Sequence, residues 1–337
     1  MISMSLANES TTNLYFPNGT GSEGIKVERT SLVLVFLSFL IIVSGLLALS
    51  TMVRTSKMPE GIRILSSGLM LSDIFGGMVY FVSQILLFCS SNIDQFELKN
   101  VRIIIIHCSI VITAMFISAL SLERVLVLYF TEFSLKIATR RLFIALAITL
   151  WILGAVSVYL FHFFFDTHEW TNCKVCMDSG MTKEGRIVYY IWYFGLSLSI
   201  IVPTSFIFLM VRRHMRRIEA ILPMDSRDAI NRKQRVSVQS ASISISVIAF
   251  SYTVMNLPFF IVSLIVEADV KSTIIEETRA KLFNMTLAFI QCHCLVNTII
   301  YSWRFKECRL KLLETFLPLS NSLRPKVELL RIELYSS

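Results

Sequence analysis

The stretch VRIIIIHCSIVITAMFISALSLERVLVLYF, Val101–Phe130, is apolar over most of its length and then carries Glu123 and Arg124 side by side near one end. A run this long suits one crossing of a bilayer, whose hydrocarbon core takes about 20 residues of helix. At the centre of a bilayer a charge costs roughly 2.5–3.5 kcal/mol on insertion scales, so two adjacent charges need a reason to be there.

The rest of the chain repeats the pattern. Of 337 residues, 54% are hydrophobic and 17% charged, against about 45–50% and about 25% in soluble domains. The excess is gathered into seven blocks, at about 31–53, 64–90, 101–129, 141–165, 187–213, 240–266 and 281–303. They are rich in Leu, Ile, Val and Phe and lack the alternation of a membrane barrel strand. The expected fold is an all-α membrane protein, a bundle of seven transmembrane helices.

Basic residues set the expected orientation. Alternate connections starting after the first block hold 22 Lys and Arg, and the opposite side holds 10. The more basic side is cytoplasmic, which puts the N-terminus outside and the C-terminus in the cytoplasm. The net charge of +8 is then mainly a topology signal, with some left for anionic lipid or a cytoplasmic partner; interrupted basic residues bordering spans do not suggest nucleic acid. Residues 1–30 form an extracellular tail with sequons at Asn8 and Asn18, so glycosylation is expected there. The first 25 residues lack the apolar core of a cleavable signal, so the first span is expected to direct insertion. The bundle occupies 31–303, an amphipathic segment 304–317, and a cytoplasmic tail 318–337. Residues 214–239 make a basic connection broken by Pro223, either a solvated linker or a docking surface for a cytoplasmic protein.

Polar residues inside the spans carry the functional information. Asp73 lies among apolar neighbours in LMLSDIFGG; Ser109 and Thr113 share a helical face; Asn297 precedes Tyr301 by about one turn. An intramembrane carboxylate is a functional candidate by default, and these groups can complete a cation or water pocket. A single hydrogen-bonded carboxyl holding helices together is the structural alternative. Pro203 and Pro258 fall inside the fifth and sixth blocks, each removing one backbone bond.

Taken in order, these landmarks resemble the rhodopsin-like (class A) G-protein-coupled receptors. Asp73 matches the second-helix Asp, Glu123-Arg124-Val125 the Asp/Glu-Arg-Tyr motif, and Trp151 the fourth-helix Trp. Pro203 and Pro258 match the prolines of helices five and six. LVNTIIYSWRFKECR resembles the Asn-Pro-x-x-Tyr helix, with Asn297 and Tyr301 in place and Thr298 where Pro is usual. The resemblance covers about residues 31–316 and implies a ligand-binding mouth, a heterotrimeric G protein as partner and a plasma-membrane location. It further implies a switch made of Glu123, Arg124, Tyr301, Asn297, Pro258, Asn256 and Tyr252, and a sodium ion near Asp73, Ser109, Thr113 and Asn297.

The chain also departs from the family pattern. Gly45 stands about where Asn is usual, Val211 where helix five has Tyr, Asn256 for a Trp and Tyr252 for a Phe. Gln291 occupies the retinal Lys position and Ile106 the amine receptors' Asp, so neither a Schiff base nor a small biogenic amine is expected. Lys99 stands where helix three usually carries the Cys of the outer disulfide. The resemblance then suggests a bridge from Cys89 to Cys173 or Cys176; a local Cys173–Cys176 bridge is the alternative. A metal site at that CxxC with His168 lacks a fourth ligand, and Cys292 and Cys294 project to different faces of a helix.

After Tyr301, Phe305, Cys308, Leu312 and Phe316 recur at helical spacing opposite Lys306, Arg309 and Lys311. The pattern suits a short eighth helix on the inner membrane surface. The chain holds no HExxH, P-loop or GxSxG motif, so an enzyme is not expected. A small transporter or channel is the alternative, although no internal repeat supports it. The ligand is expected at an aromatic mouth made by Ile106, Tyr189, Tyr190, Tyr193, Phe259, Phe260 and Gln291. An acidic rim at Asp166, Glu169, Glu267, Asp269, Glu276 and Glu277 favours a peptide or other ligand with a basic end, unless it is merely what the charge bias leaves outside.

Overall fold

A computed structural model of the chain describes residues 29–56, 58–89, 95–129, 139–165, 182–220, 243–262, 265, 276–319 and 323–335. All regular structure among them is helical. The elements are α1 (Arg29–Arg54), α2 (Glu60–Cys89), α3 (Gln95–Tyr129), α4 (Arg140–Phe165), α5 (Lys183–Ala220) and α6 (Ile243–Val262). α7 (Glu276–Arg304), α8 (Lys306–Phe316) and α9 (Arg324–Tyr335) complete the described chain. α1 to α7 each hold a segment long and apolar enough to cross a membrane. In lipid the backbone must satisfy its own hydrogen bonds, which is why apolar runs of this length become helices. α5 and α6 remain helical through Pro203 and Pro258.

α3 is the hub. Of its apolar core window 67% is buried, against 17% in α4 and 11% in α5. It packs on α2, α4 and α5, while α1 packs on α2 and α7. The outer faces stay apolar: Ile148, Ile152, Tyr159 and Phe163 of α4 are exposed, a face suited to lipid. Between helices a membrane offers little hydrophobic driving force, so close packing and polar ties hold the bundle together. Ser118 Oγ donates to Ser199 O at 3.0 Å, and the hydroxyls of Ser121 and Thr204 lie 3.3 Å apart, joining α3 to α5. Small residues permit the close approaches. A Cβ on Gly154 of α4 would lie 2.5 Å from Ile112 Cγ1 of α3.

α8 follows α7 after an extended Phe305 (φ −86°, ψ 113°). Its expected membrane-facing stripe is divided. Cys308 is fully buried and Phe305 stacks on Tyr301 with ring centroids 6.0 Å apart, so these two residues pack on the bundle core instead. Burial, with the nearby Glu307 charge adding to it, pushes the Cys308 thiol up to about 12.

Glu307 is the other anchor. Its carboxylate accepts from the Ser56 amide at 2.9 Å and from the Ser56 hydroxyl at 3.2 Å, clasping α8 to the α1–α2 connection. Hydrogen bonds to a charged group are worth about 1.5–3 kcal/mol. Glu307→Ala is therefore expected to lower the thermal unfolding midpoint, and Glu307→Gln, which keeps an acceptor, to recover part of the loss. An unchanged midpoint in the Ala variant would show that the clasp carries no stability.

The segment read from sequence as a cytoplasmic tail contains α9. Its Val327 and Leu330 pack on Leu310, with Leu313 and Leu317 beside them. Pro325 at the second helical position suits a helix start. Burial disfavours the charge of Glu314, but hydrogen bonds and positive charge from Arg331 (2.9 Å) and Lys311 (3.1 Å) outweigh it and hold the carboxyl below its ordinary range. A depressed carboxyl stabilises above its unfolded pKa and stops doing so as pH falls through the folded one, so this support for α9 is lost only in acid.

Candidate functional site

The core of the bundle is polar around Asp73, which is 2% exposed. Thr113 Oγ1 of α3 donates to Asp73 Oδ1 at 3.1 Å, and Asn297 Nδ2 of α7 donates to Oδ2 at 3.1 Å. One carboxylate therefore ties three helices. Ser109 sits a turn away and answers a different partner: its hydroxyl donates to Ser72 O at 2.9 Å, while the Ser72 hydroxyl reaches Ser109 O and Thr113 Oγ1, each at 3.1 Å. The approach requires Gly76, where a Cβ would stand 2.4 Å from Ser109 Oγ.

Asp73 lines a cavity of about 50 Å³ together with Ser109, Thr113, Tyr80, Ile106 and Gln291 and with Tyr252, Asn256, His293 and Cys294. Space of this size holds a few waters, since one needs only about 10–15 Å³ by this measure. Three fully enclosed atoms near it lack hydrogen-bond partners: Gln291 Oε1, His293 Nε2 and Asn297 Oδ1. Orphaned buried polar atoms call for water, an ion or a ligand. Gln291 is held from the other side by donating to Ser38 Oγ at 3.0 Å.

Of the residues expected at the mouth, Ile106 and Gln291 line this cavity. The aromatics of α5 and α6 are packed instead. Tyr193 and Phe259 are buried in a cluster with Leu34, Tyr80 and Ile106, and Phe260 packs against it. Tyr189 stacks on His107 at 5.2 Å and joins Phe161 of α4, with Tyr190 on its flank. A run of neighbouring aromatics on one helix cannot all face one hole, because successive side chains turn by about 100°.

At the opposite end of α3, Glu123 and Arg124 are in contact as a two-bonded ion pair, Arg124 Nε and Nη2 donating to the two carboxylate oxygens. Arg124 is 1% exposed and Glu123 9%. The guanidinium is covered by protein, so it does not snorkel to an interface. Tyr301 is fully buried in the same core cluster as Leu120 of α3 and Ile245, Ile248 and Tyr252 of α6. An enclosed ion pair at one end of the hub helix and a polar cavity further along it lie on a single element.

The family profile of the 7 transmembrane receptor (rhodopsin family) matches residues 44–301, all seven spanning segments except the start of the first and the last residues of the seventh. This chain is a rhodopsin-family seven-transmembrane receptor. It is a multi-pass membrane protein and a signalling receptor by family, of a kind that is generally not enzymatic. No curated protein matches it significantly.

The receptor's departures from the family pattern have local causes. At Gly45 a Cβ would lie 2.6 Å from Ile74 Cγ1, so α1 meets α2 apolar to small beside Asp73 and supplies no amide there. Thr298, in place of the usual proline, donates to Cys294 O at 3.1 Å, and α7 runs unbroken to Arg304. Asn256 accepts from Tyr193 Oη at 2.9 Å and donates to Tyr252 O at 2.8 Å. The contributions of Ser72, His293 and Cys294 were not read from sequence. Only Ser72 had a signal, as the neighbour of Asp73. The sequons at Asn8 and Asn18, Cys173, Cys176, the side chain of Cys89, most of the 214–239 connection and the side chains of the acidic rim lie outside the described residues.

Proposed function

We propose that this receptor takes an extracellular ligand at the mouth of the bundle and activates a heterotrimeric G protein from the plasma membrane. The observation that carries the reading is the burial of Glu123–Arg124 within protein, at the far end of the helix whose other half lines the cavity. A pair that merely anchored a helix would reach water or headgroups. The excess of basic residues on alternate connections supports an outside N-terminus and puts Arg124 on the cytoplasmic side. The acidic residues of the opposite side support a ligand with a basic end, peptide or smaller, drawn by electrostatic steering. The test is ligand-stimulated guanine-nucleotide exchange by the purified receptor with G protein in vesicles, screened against a ligand library. Ligand or ion flux in those vesicles without exchange would favour a transporter or channel.

The cluster around Asp73 suits a sodium ion. The carboxylate, the Thr113 and Ser109 hydroxyls and the unpartnered Asn297 Oδ1 are oxygen donors beside an open space, as a hard cation requires. A cation stabilises one receptor conformation only if it binds that conformation better. Asp73→Asn is expected to abolish both a sodium-dependent rise in unfolding midpoint and any sodium dependence of agonist affinity. If that variant keeps the full sodium response, the cation lies elsewhere.

A further inference from the structure

We infer that His107 and His162 form a binding site for a transition-metal dication, Zn²⁺ foremost, which clasps α3 to α4. The inference stands on the fold and does not need the receptor reading. His107 of α3 is fully buried and His162 of α4 is 5% exposed. Their rings stack with centroids 5.6 Å apart and 26° between planes, and Tyr189 of α5 stacks on His107 at 5.2 Å. Neither nitrogen of either imidazole has a hydrogen-bond partner among the described residues. Four orphaned ring nitrogens in one place call for an explanation, because buried polar groups are nearly always satisfied by protein, water or an ion.

The donors select the ion. Imidazole suits zinc, copper and nickel, whereas calcium and magnesium require oxygen ligands. No third His, Cys, Asp or Glu completes a cluster among the described residues. Water therefore takes the remaining positions, and the ion exchanges with solvent, unlike one in a closed structural site. The spacing agrees. With metal–nitrogen bonds of about 2.0–2.1 Å, the centroids of two imidazoles on one ion stand about 5–6 Å apart. The observed 5.6 Å falls in that range, so the rings need only turn about their Cβ–Cγ bonds to aim at one point. His162 lies about one turn before the end of α4 at Phe165, which gives the ion a short way in. The helices already approach closely at Gly154 and Ile112, and the ion adds a second tie on the hub.

The experiment titrates purified full-length protein in nanodiscs with zinc chloride and follows thermal unfolding, with calcium and magnesium chloride as controls. An ion that binds only the folded protein stabilises it. Zinc should therefore raise the midpoint by a few degrees, and calcium and magnesium should leave it in place. His107→Phe and His162→Phe each keep a flat ring in the stack and remove the donors, so each should abolish the zinc shift. No shift in the wild type, or a full shift that survives either variant, overturns the site. X-ray absorption at the zinc edge, on wild-type protein loaded below one equivalent, identifies the ligands without any variant. Two imidazole nitrogens at about 2.0–2.1 Å are expected, and a shell dominated by sulfur at about 2.3 Å puts the ion on cysteines and overturns the inference.

Discussion

Arg124→Ala is expected to reach the cell surface and to lose G-protein activation by about 10- to 100-fold or more, the scale of a charge-assisted contact of about 1.5–3 kcal/mol and upward. The guanidinium is fully buried, and its described ion-pair partner is its own neighbour Glu123. Adjacent positions on a helix point about 100° apart, so the pair closes by bending two side chains together. Its release on activation is expected to exchange one carboxylate for contacts from a docking protein. Glu123→Gln keeps the shape and removes the charge, and should raise ligand-independent exchange. Removing Arg124 alone strands a buried carboxylate, which is destabilising by about 3–5 kcal/mol when its partner is lost. The double variant Glu123→Gln/Arg124→Ala avoids that defect and serves as the folding control. An Arg124→Ala receptor present at the surface and driving full exchange would reduce the pair to a helix anchor.

The second large effect is on folding. A Cβ at Gly68 of α2 would lie 2.4 and 2.5 Å from two ring carbons of Phe116 of α3, and that ring is fully buried. Gly68→Val adds three carbons where one does not fit. Overpacking costs typically about 1–3 kcal/mol and occasionally more, and here the obstacle is a rigid ring in the hub. The gain in helix propensity on losing a glycine, about 1 kcal/mol at best and less for a β-branched residue, does not offset it. The expected outcome is poor surface expression and a clearly lowered unfolding midpoint. Gly195 is the internal comparison, because nothing lies within 4 Å of its added Cβ. Gly195→Ala should be neutral or slightly stabilising. Equal behaviour of the two variants would mean that α2 and α3 do not approach as closely as Gly68 and Phe116 require.

The bundle itself was legible before any tertiary information. An apolar run of about 20 residues has one stable form in lipid, a helix, because nothing else satisfies its backbone. Seven such runs with Asp73, Arg124, Pro258 and Tyr301 in register pointed to the family that the profile match shows. Asp73, Thr113 and Asn297 were each visible as polar groups in an apolar context, where burial without partners is costly. Their meeting on three different helices could only be suggested, since spacing along a chain says nothing of the angle at which two helices cross. Ser109 illustrates the limit: it shares a helical face with Thr113 but turns its hydroxyl to Ser72 O. The aromatics of α5 show it again, because composition located them and packing decided that Tyr189 stacks on His107 while Tyr193 holds Asn256. α9 went unread because a twelve-residue helix is marginal alone. It gains its stability from Leu310 on α8, a contact between segments that have no local signal for each other. One-dimensional patterns report what each segment must do in its solvent. Which side chains complete one another is decided when rigid helices pack, and small residues such as Gly45, Gly68 and Gly76 set how near they come.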